Sequence, residues 1–187
     1  MIAMEPPANG DADSMRDEKL KVLKSLKPFT PDSVARDVVR GQYRAGTIGG
    51  QAAQGYLEEL KVPANSACET FVALRTEIQN WRWAGVPFYL RTGKRLAEGQ
   101  RIISIAFREP PKSMFPAGSG VGAQGPDHLT FHPADASKMS LSFYGKRPGP
   151  GMRLDKLSLQ FAMHDTGLLG EVLEAYERLI LDAMRGD

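Results

Sequence analysis

The sequence predicts an α+β fold, a largely antiparallel β-sheet with helices packed on one face. Three observations predict it. Apolar and polar residues alternate over several short runs, these runs follow one another through the chain, and helix-period segments stand at its two ends. Such an order is not a strand–helix alternation, so a doubly wound nucleotide-binding sheet is not expected. The first element is a helix over Met15 to Lys27, where Ser14 and Asp17 fit a capping box, Leu20, Leu23 and Leu26 recur at helical spacing, and Pro28 stops the run. Its other face is basic through Lys19, Lys21 and Lys24. Val34 to Tyr43 is the next ordered segment. Cys68 to Gln79 then reads as a half-buried strand, with Val72, Leu74, Thr76 and Ile78 on one face and Arg75, Glu77 and Gln79 on the other. The period of two returns through Ile103, Ile105 and Phe107, through Met139, Leu141 and Phe143, and through Leu157, Leu159, Phe161 and Met163. Cover for the sheet is expected from a last helix carrying Val172, Leu173, Tyr176, Leu179, Ile180, Ala183 and Met184, closed by Gly186. Pro110 to Pro126 and Arg147 to Gly151 read as irregular loops.

Composition narrows the function classes. The chain has 187 residues, with 24 Lys+Arg against 22 Asp+Glu and a net charge of +2. The basic residues are spread among acids, which gives no footprint for nucleic acid or an anionic membrane. Cys68 is the one cysteine, so no intrachain disulfide and no multi-cysteine zinc site is available. The start Met1-Ile2-Ala3-Met4-Glu5 lacks the basic and long apolar regions of a signal peptide, and no run approaches the ~18 apolar residues of a membrane span. A cytoplasmic location is expected.

His128 and His132 are placed on a strand or its end by Thr130-Phe131 and Pro133, and no Glu or Asp follows at zincin spacing. Structural or surface roles are expected for these two and for His164. Cys68 is placed in a strand, in ordinary packing. Gly46-Thr47-Ile48-Gly49-Gly50 and Gly118-Ser119-Gly120-Val121-Gly122 resemble phosphate loops only superficially, because neither lies between an apolar strand and a helix. Plain loops are expected. Trp81 and Trp83 are expected to share a strand face and pack. One constellation carries chemistry: a short apolar strand, Pro87 to Leu90, runs into Arg91-Thr92-Gly93-Lys94-Arg95, three cations around a glycine able to turn sharply. Such a turn is either a solvated hairpin or an anion site offering backbone N–H groups and a lysine to a phosphate.

The same segment, read with its neighbours, resembles the glucose-6-phosphate dehydrogenase family. The resemblance runs through Arg16-Asp17-Glu18-Lys19-Leu20-Lys21-Val22-Leu23, Gly41-Gln42-Tyr43, Gly55-Tyr56, Val62-Pro63 and Glu69-Thr70-Phe71-Val72-Ala73-Leu74-Arg75. It continues through Asn80-Trp81-Arg82-Trp83, Gly85-Val86-Pro87-Phe88, Leu90-Arg91-Thr92-Gly93-Lys94 and Glu174-Ala175-Tyr176-Glu177-Arg178-Leu179-Ile180-Leu181-Asp182. These strings are ordered and spread over nearly the whole chain.

The resemblance implies a C-terminal α+β domain over residues 1–187, substrate-binding and dimerising, without the N-terminal dinucleotide-binding domain and without the family's last strand and helix. It implies an NADP-dependent oxidation of glucose 6-phosphate to the lactone, in which an Asp and a His act as base on the C1 hydroxyl. Neither that pair nor the substrate motif Arg-x-Asp-His-Tyr-Leu-Gly-Lys occurs in this chain. Lys94 matches the family lysine that holds the substrate's phosphate end. A second basic residue usual in the family falls on Gly99, with Arg101 as the weaker substitute. Arg91 matches one cation of the second, structural NADP site found in some members, whereas Gln100 and Ser104 stand where further cations would be. The expected outcome is a chain that contributes the substrate and dimer half, binds no NADP alone and turns over nothing alone. The alternative is a non-catalytic truncated paralogue that pairs with a full-length subunit or binds a sugar phosphate.

Overall fold

A computed structural model of the protein describes residues 2–133, 138–162 and 175–186. The chain divides into two units, Met1–Glu98 and Gly99–Asp187. The α+β class with antiparallel strands holds, but among the described residues the strands are distributed over three sheets.

Unit 1 opens on helix α1, Ala12–Lys24. Its N-cap is Asp11 rather than the predicted Ser14, because the Asp11 carboxylate accepts both the Ser14 backbone N–H (2.8 Å) and the Ser14 hydroxyl (2.9 Å). A charged acceptor outcompetes a hydroxyl for the free first-turn donors. The Ser14 backbone bond is the main reason that the Asp11 carboxyl lies below its usual range. The helix also ends short of the predicted Lys27. Leu26 instead bridges Ile78, the Lys27 N–H donates to the Glu77 carbonyl (2.9 Å), and the Gln79 N–H donates to the Ser25 carbonyl (2.7 Å).

The segment Val34 to Tyr43 changes type midway. Helix α2, Pro31–Asp37, starts on a Thr30–Ser33 capping box with Pro31 at its first position, and strand β1, Val38–Gly41, follows directly. A two-residue turn at Gly49 (φ 58°) and Gly50 (φ 82°) joins β2, Gly46–Ile48, to β3, Gln51–Ala53. Two adjacent left-handed residues match the twist of a tight hairpin, so this glycine cluster is a hairpin turn. A short 3₁₀ turn, Tyr56–Glu58, comes next.

Strands β4, Phe71–Glu77, and β5, Pro87–Gly93, complete an antiparallel sheet in the order β1-β4-β5. Cys68 lies outside β4 and is exposed, a correction to its expected packing in a strand. Its carbonyl is taken by the Gln42 side-chain amide (2.9 Å), so it serves a loop and not a ladder. The covered face of the sheet holds Thr76 and Ile78, both buried, with Phe88 opposite Thr76. Trp83 packs edge-to-face on Phe88 at 5.2 Å and donates its indole N–H to the Ala3 carbonyl (2.8 Å). Trp81 is fully exposed. The two tryptophans do not share a strand face, because the Asn80 side chain accepts the Trp83 N–H (2.9 Å) and the Val86 N–H returns to the Trp83 carbonyl (3.0 Å), which makes the segment a turn.

Among its described residues unit 2 holds a four-stranded antiparallel sheet of β6, Ile103–Ala106, β7, His128–His132, β8, Lys138–Lys146, and β9, Leu154–Ala162, in sequence order. Met139 stands opposite Phe161 and Leu141 opposite Leu159, so alternation puts them on one face. That face is open, with Leu159 at 61 % exposure. Helix α3, Ala175–Arg185, is closed by Gly186 in the left-handed region (φ 80°), as expected. Its Tyr176, Leu179, Ile180 and Met184 are exposed, so among the described residues it does not supply the predicted cover. Alternation reports that a face is apolar and does not name what lies on it. Met163, His164, Val172 and Leu173 lie outside the described residues. The Pro110 to Pro126 loop is irregular but tied: the Leu154 N–H donates to the Ser119 carbonyl (2.7 Å), and Lys156 donates to the carbonyls of Gln124, Gly125 and Pro126.

Candidate functional site

The sheet of unit 1 ends level on three strands. Gly41 pairs with Phe71 and Phe71 pairs with Gly93, so the residues that follow β1, precede β4 and follow β5 meet at one rim. Thr70 ties them together. Its N–H donates to the Gly41 carbonyl (2.9 Å), its hydroxyl accepts the Tyr43 N–H (3.0 Å), and its carbonyl accepts the Lys94 N–H (2.8 Å).

The cationic turn predicted as Arg91 to Arg95 is resolved into separate parts. β5 runs on through Arg91, Thr92 and Gly93, beyond the predicted Leu90, with Arg91 opposite Ala73. Gly93 is needed for closeness and not for turning. A Cβ there would stand 2.9 Å from the Phe71 ring and 3.3 Å from both the Leu96 side chain and the Thr70 carbonyl. The left-handed residue is Arg95, at φ 51°. Its guanidinium pairs with Glu59 (2.5 Å) and lies 5.2 Å over the Tyr43 ring. The Tyr43 hydroxyl donates to the same Glu59 oxygen (2.7 Å). That bond, followed by the Arg95 bond, holds the Glu59 carboxyl below the usual carboxylate range, and the Glu59 contact pushes the Tyr43 phenol up. Lys94 is exposed, and its ammonium makes no hydrogen bond or ion pair among the described residues. It is a fixed backbone carrying a free cation, which suits an anion.

Tyr43, Tyr56 and Ser66 close the rim on one side. The tyrosine rings meet edge-to-face at 5.8 Å, the Tyr56 N–H donates to the Tyr43 carbonyl (3.0 Å), and the Tyr56 and Ser66 hydroxyls share a bond (3.2 Å). Gly55 admits this approach, since a Cβ would come within 2.9 Å of the Ala45 nitrogen. Neither Glu59 nor a role for Tyr43 is legible from spacing or composition. The one available signal was that Gly41-Gln42-Tyr43 and Gly55-Tyr56 belong to the strings that carry the resemblance.

Arg101, the weaker candidate, is exposed and belongs to unit 2, whereas Lys94 belongs to unit 1. His128 and His132 stand at opposite ends of β7, about 13 Å apart at the usual rise of a strand, too far to share one metal. No group of three metal-ligating side chains occurs among the described residues. Neither glycine cluster forms a dinucleotide cradle. Gly49 and Gly50 turn a hairpin, and Gly120 (φ 95°) is pressed against the Leu154 carbonyl, where a Cβ would come within 2.7 Å. Ser104 shares a hydroxyl hydrogen bond with Thr130 (3.1 Å) across β6 and β7. No helix among the described residues is long and apolar enough to cross a membrane.

Comparison with known proteins matches residues 1–187 to the family model described as glucose-6-phosphate dehydrogenase, C-terminal domain. The chain is 46 % identical over 187 residues to glucose-6-phosphate 1-dehydrogenase of Rhizobium meliloti (strain 1021), covering 100 % of itself and 37 % of that relative. It is 43 % identical over 188 residues to the enzyme of the same name from Mycolicibacterium smegmatis, again covering 37 % of it. Among solved structures, a glucose-6-phosphate dehydrogenase in complex with its substrate glucose-6-phosphate superposes with a TM-score of 0.75 at 32 % identity, covering 100 % of this chain and 36 % of that one. A glucose-6-phosphate 1-dehydrogenase from Mycobacterium avium gives 0.75 at 31 % identity, with 35 % of that chain covered. The chain thus spans little more than a third of the length of these relatives.

Proposed function

Because the chain belongs to the glucose-6-phosphate dehydrogenase family, as its C-terminal domain, we propose that it serves as the substrate-binding and dimerising part of an NADP-dependent oxidation of glucose 6-phosphate to 6-phosphogluconolactone in the cytoplasm. The observation that carries this reading is Lys94, an unpaired ammonium on a backbone tied to Thr70 at the rim of the β1-β4-β5 sheet. Lys94 donates to the phosphate of the sugar and orients it. NADP accepts the hydride in the complete reaction. The base on the C1 hydroxyl, an Asp and a His in the family, has no counterpart in these 187 residues. Orientation without a proton acceptor and a hydride acceptor does not produce turnover.

The expected result is therefore saturable binding without chemistry. Calorimetric titration of the 187-residue chain with glucose 6-phosphate is expected to show one site, and NADPH absorbance is expected to stay flat when NADP is added. Formation of NADPH, or the absence of binding, overturns the reading.

The open apolar face of β8 and β9 favours pairing through the sheet of unit 2, whether with a second copy or with a full-length subunit. Met139, Leu141, Leu157, Leu159 and Phe161 are all exposed there, and contiguous apolar surface of this kind marks an interface. Sedimentation equilibrium is expected to give a dimer that Leu159→Glu converts to monomer. A parent chain that stays monomeric at high concentration speaks against the pairing.

A further inference from the structure

We propose that Tyr43, Glu59 and Arg95 form a positioning clamp that spends one cation of the turn to fix the other, leaving Lys94 to meet the anionic ligand. The inference rests on the reading of Lys94 given above. Arg95 occupies the left-handed region (φ 51°), which a residue with a Cβ adopts only when its surroundings hold it there. The surroundings are Glu59, in an ion pair at 2.5 Å, and the Tyr43 ring at 5.2 Å. Each of these partners is itself held. Tyr43 is bound through its hydroxyl to Glu59 (2.7 Å) and through its N–H to the Thr70 hydroxyl (3.0 Å), while the Glu59 N–H closes the 3₁₀ turn on the Tyr56 carbonyl (3.3 Å). Thr70 is thus common to both arms, since its carbonyl also fixes the Lys94 amide. With its charge matched by Glu59, Arg95 adds little net field at the rim, and its conformation sets where the chain leaves Lys94.

Positioning and plain electrostatics predict opposite signs for one substitution. If Glu59 were only a negative charge near the site, Glu59→Gln would strengthen binding of a phosphate dianion, and freeing Arg95 would strengthen it further. The clamp predicts the reverse: several-fold weaker binding of glucose 6-phosphate, together with faster hydrogen exchange at the Lys94 amide. Tyr43→Phe changes no charge and is expected to move both readouts in the same direction by less. It also decides the matter if Glu59→Gln fails to fold. Tighter or unchanged binding, or an unchanged Lys94 exchange rate, overturns the clamp. Lys94→Ala, titrated in parallel, separates the two ideas: if it binds like the parent, the reading of Lys94 fails, and the exchange rates of the Glu59 and Tyr43 variants judge the clamp without reference to ligand.

Discussion

Lys94→Ala is expected to weaken glucose 6-phosphate binding about ten- to a hundred-fold, the range set by losing a charge-assisted hydrogen bond to a phosphate. The loss should appear in affinity alone. The Lys94 side chain has no partner to leave unpaired among the described residues, and the bond that anchors it uses its backbone N–H, which alanine retains. Thermal stability should therefore stay near that of the parent. Arg91→Ala is the natural comparison, because Arg91 is also exposed but sits within β5, opposite Ala73, and not at the turn. A smaller loss is expected there. Raising the ionic strength should weaken the parent more than Lys94→Ala, since the variant has less charge to screen. Titration calorimetry at two salt concentrations checks both statements, and a Lys94→Ala chain within twofold of the parent removes lysine from the site.

Ile78→Ala is expected to destabilise unit 1 by about 2–5 kcal/mol, the usual cost of emptying a buried aliphatic site. Ile78 is 3 % exposed, and it bridges Leu26 just past the end of β4, next to the bonds that join Glu77 to Lys27 and Gln79 to Ser25. Truncation therefore loosens the segment after α1 along with the sheet. Val39→Ala, on the 61 % exposed side chain of β1, should cost far less. Urea unfolding followed by tryptophan emission is the suitable measurement. Both tryptophans, Trp81 and Trp83, lie in unit 1, so the signal reports that unit and not its neighbour. Equal midpoints for the two variants would show that Ile78 is not the core residue its burial indicates.

How much of this was readable in the residues depends on the range of the interaction. Period-two alternation marks β4, β6, β8 and β9, because that pattern is local, although it covers only Lys138 to Phe143 of β8 and starts at Leu157 within β9. Boundaries slipped where a distant partner decided them. Leu26 reads as the last apolar position of α1 yet pairs with Ile78, and Arg91 reads as part of a turn yet pairs with Ala73. Helix α2 is not legible in the sequence although Thr30-Pro31 and Ser33 are a start signal, since its seven residues carry too short a stripe to announce a helix. The hairpin at Gly49-Gly50 carries no legible strand pattern, since its strands are only three residues each. The family-like string around Lys94 made the candidate site visible. Its support did not show, because Tyr43, Glu59 and Arg95 come from three separate segments, and no spacing rule links a tyrosine after one strand to an arginine after another.

The level ending of β1, β4 and β5 gives the site a quantised geometry. Lys94 leaves the sheet at the step fixed by Gly93 opposite Phe71 and Phe71 opposite Gly41, and strand pairing shifts only in whole residues of about 3.3 Å, each shift turning every side chain to the other face. Reach toward a ligand is thus tunable only coarsely by the backbone. Fine adjustment is left to side-chain length at position 94, so that a shorter or longer cation there measures, in steps of one methylene, how closely the anion is approached.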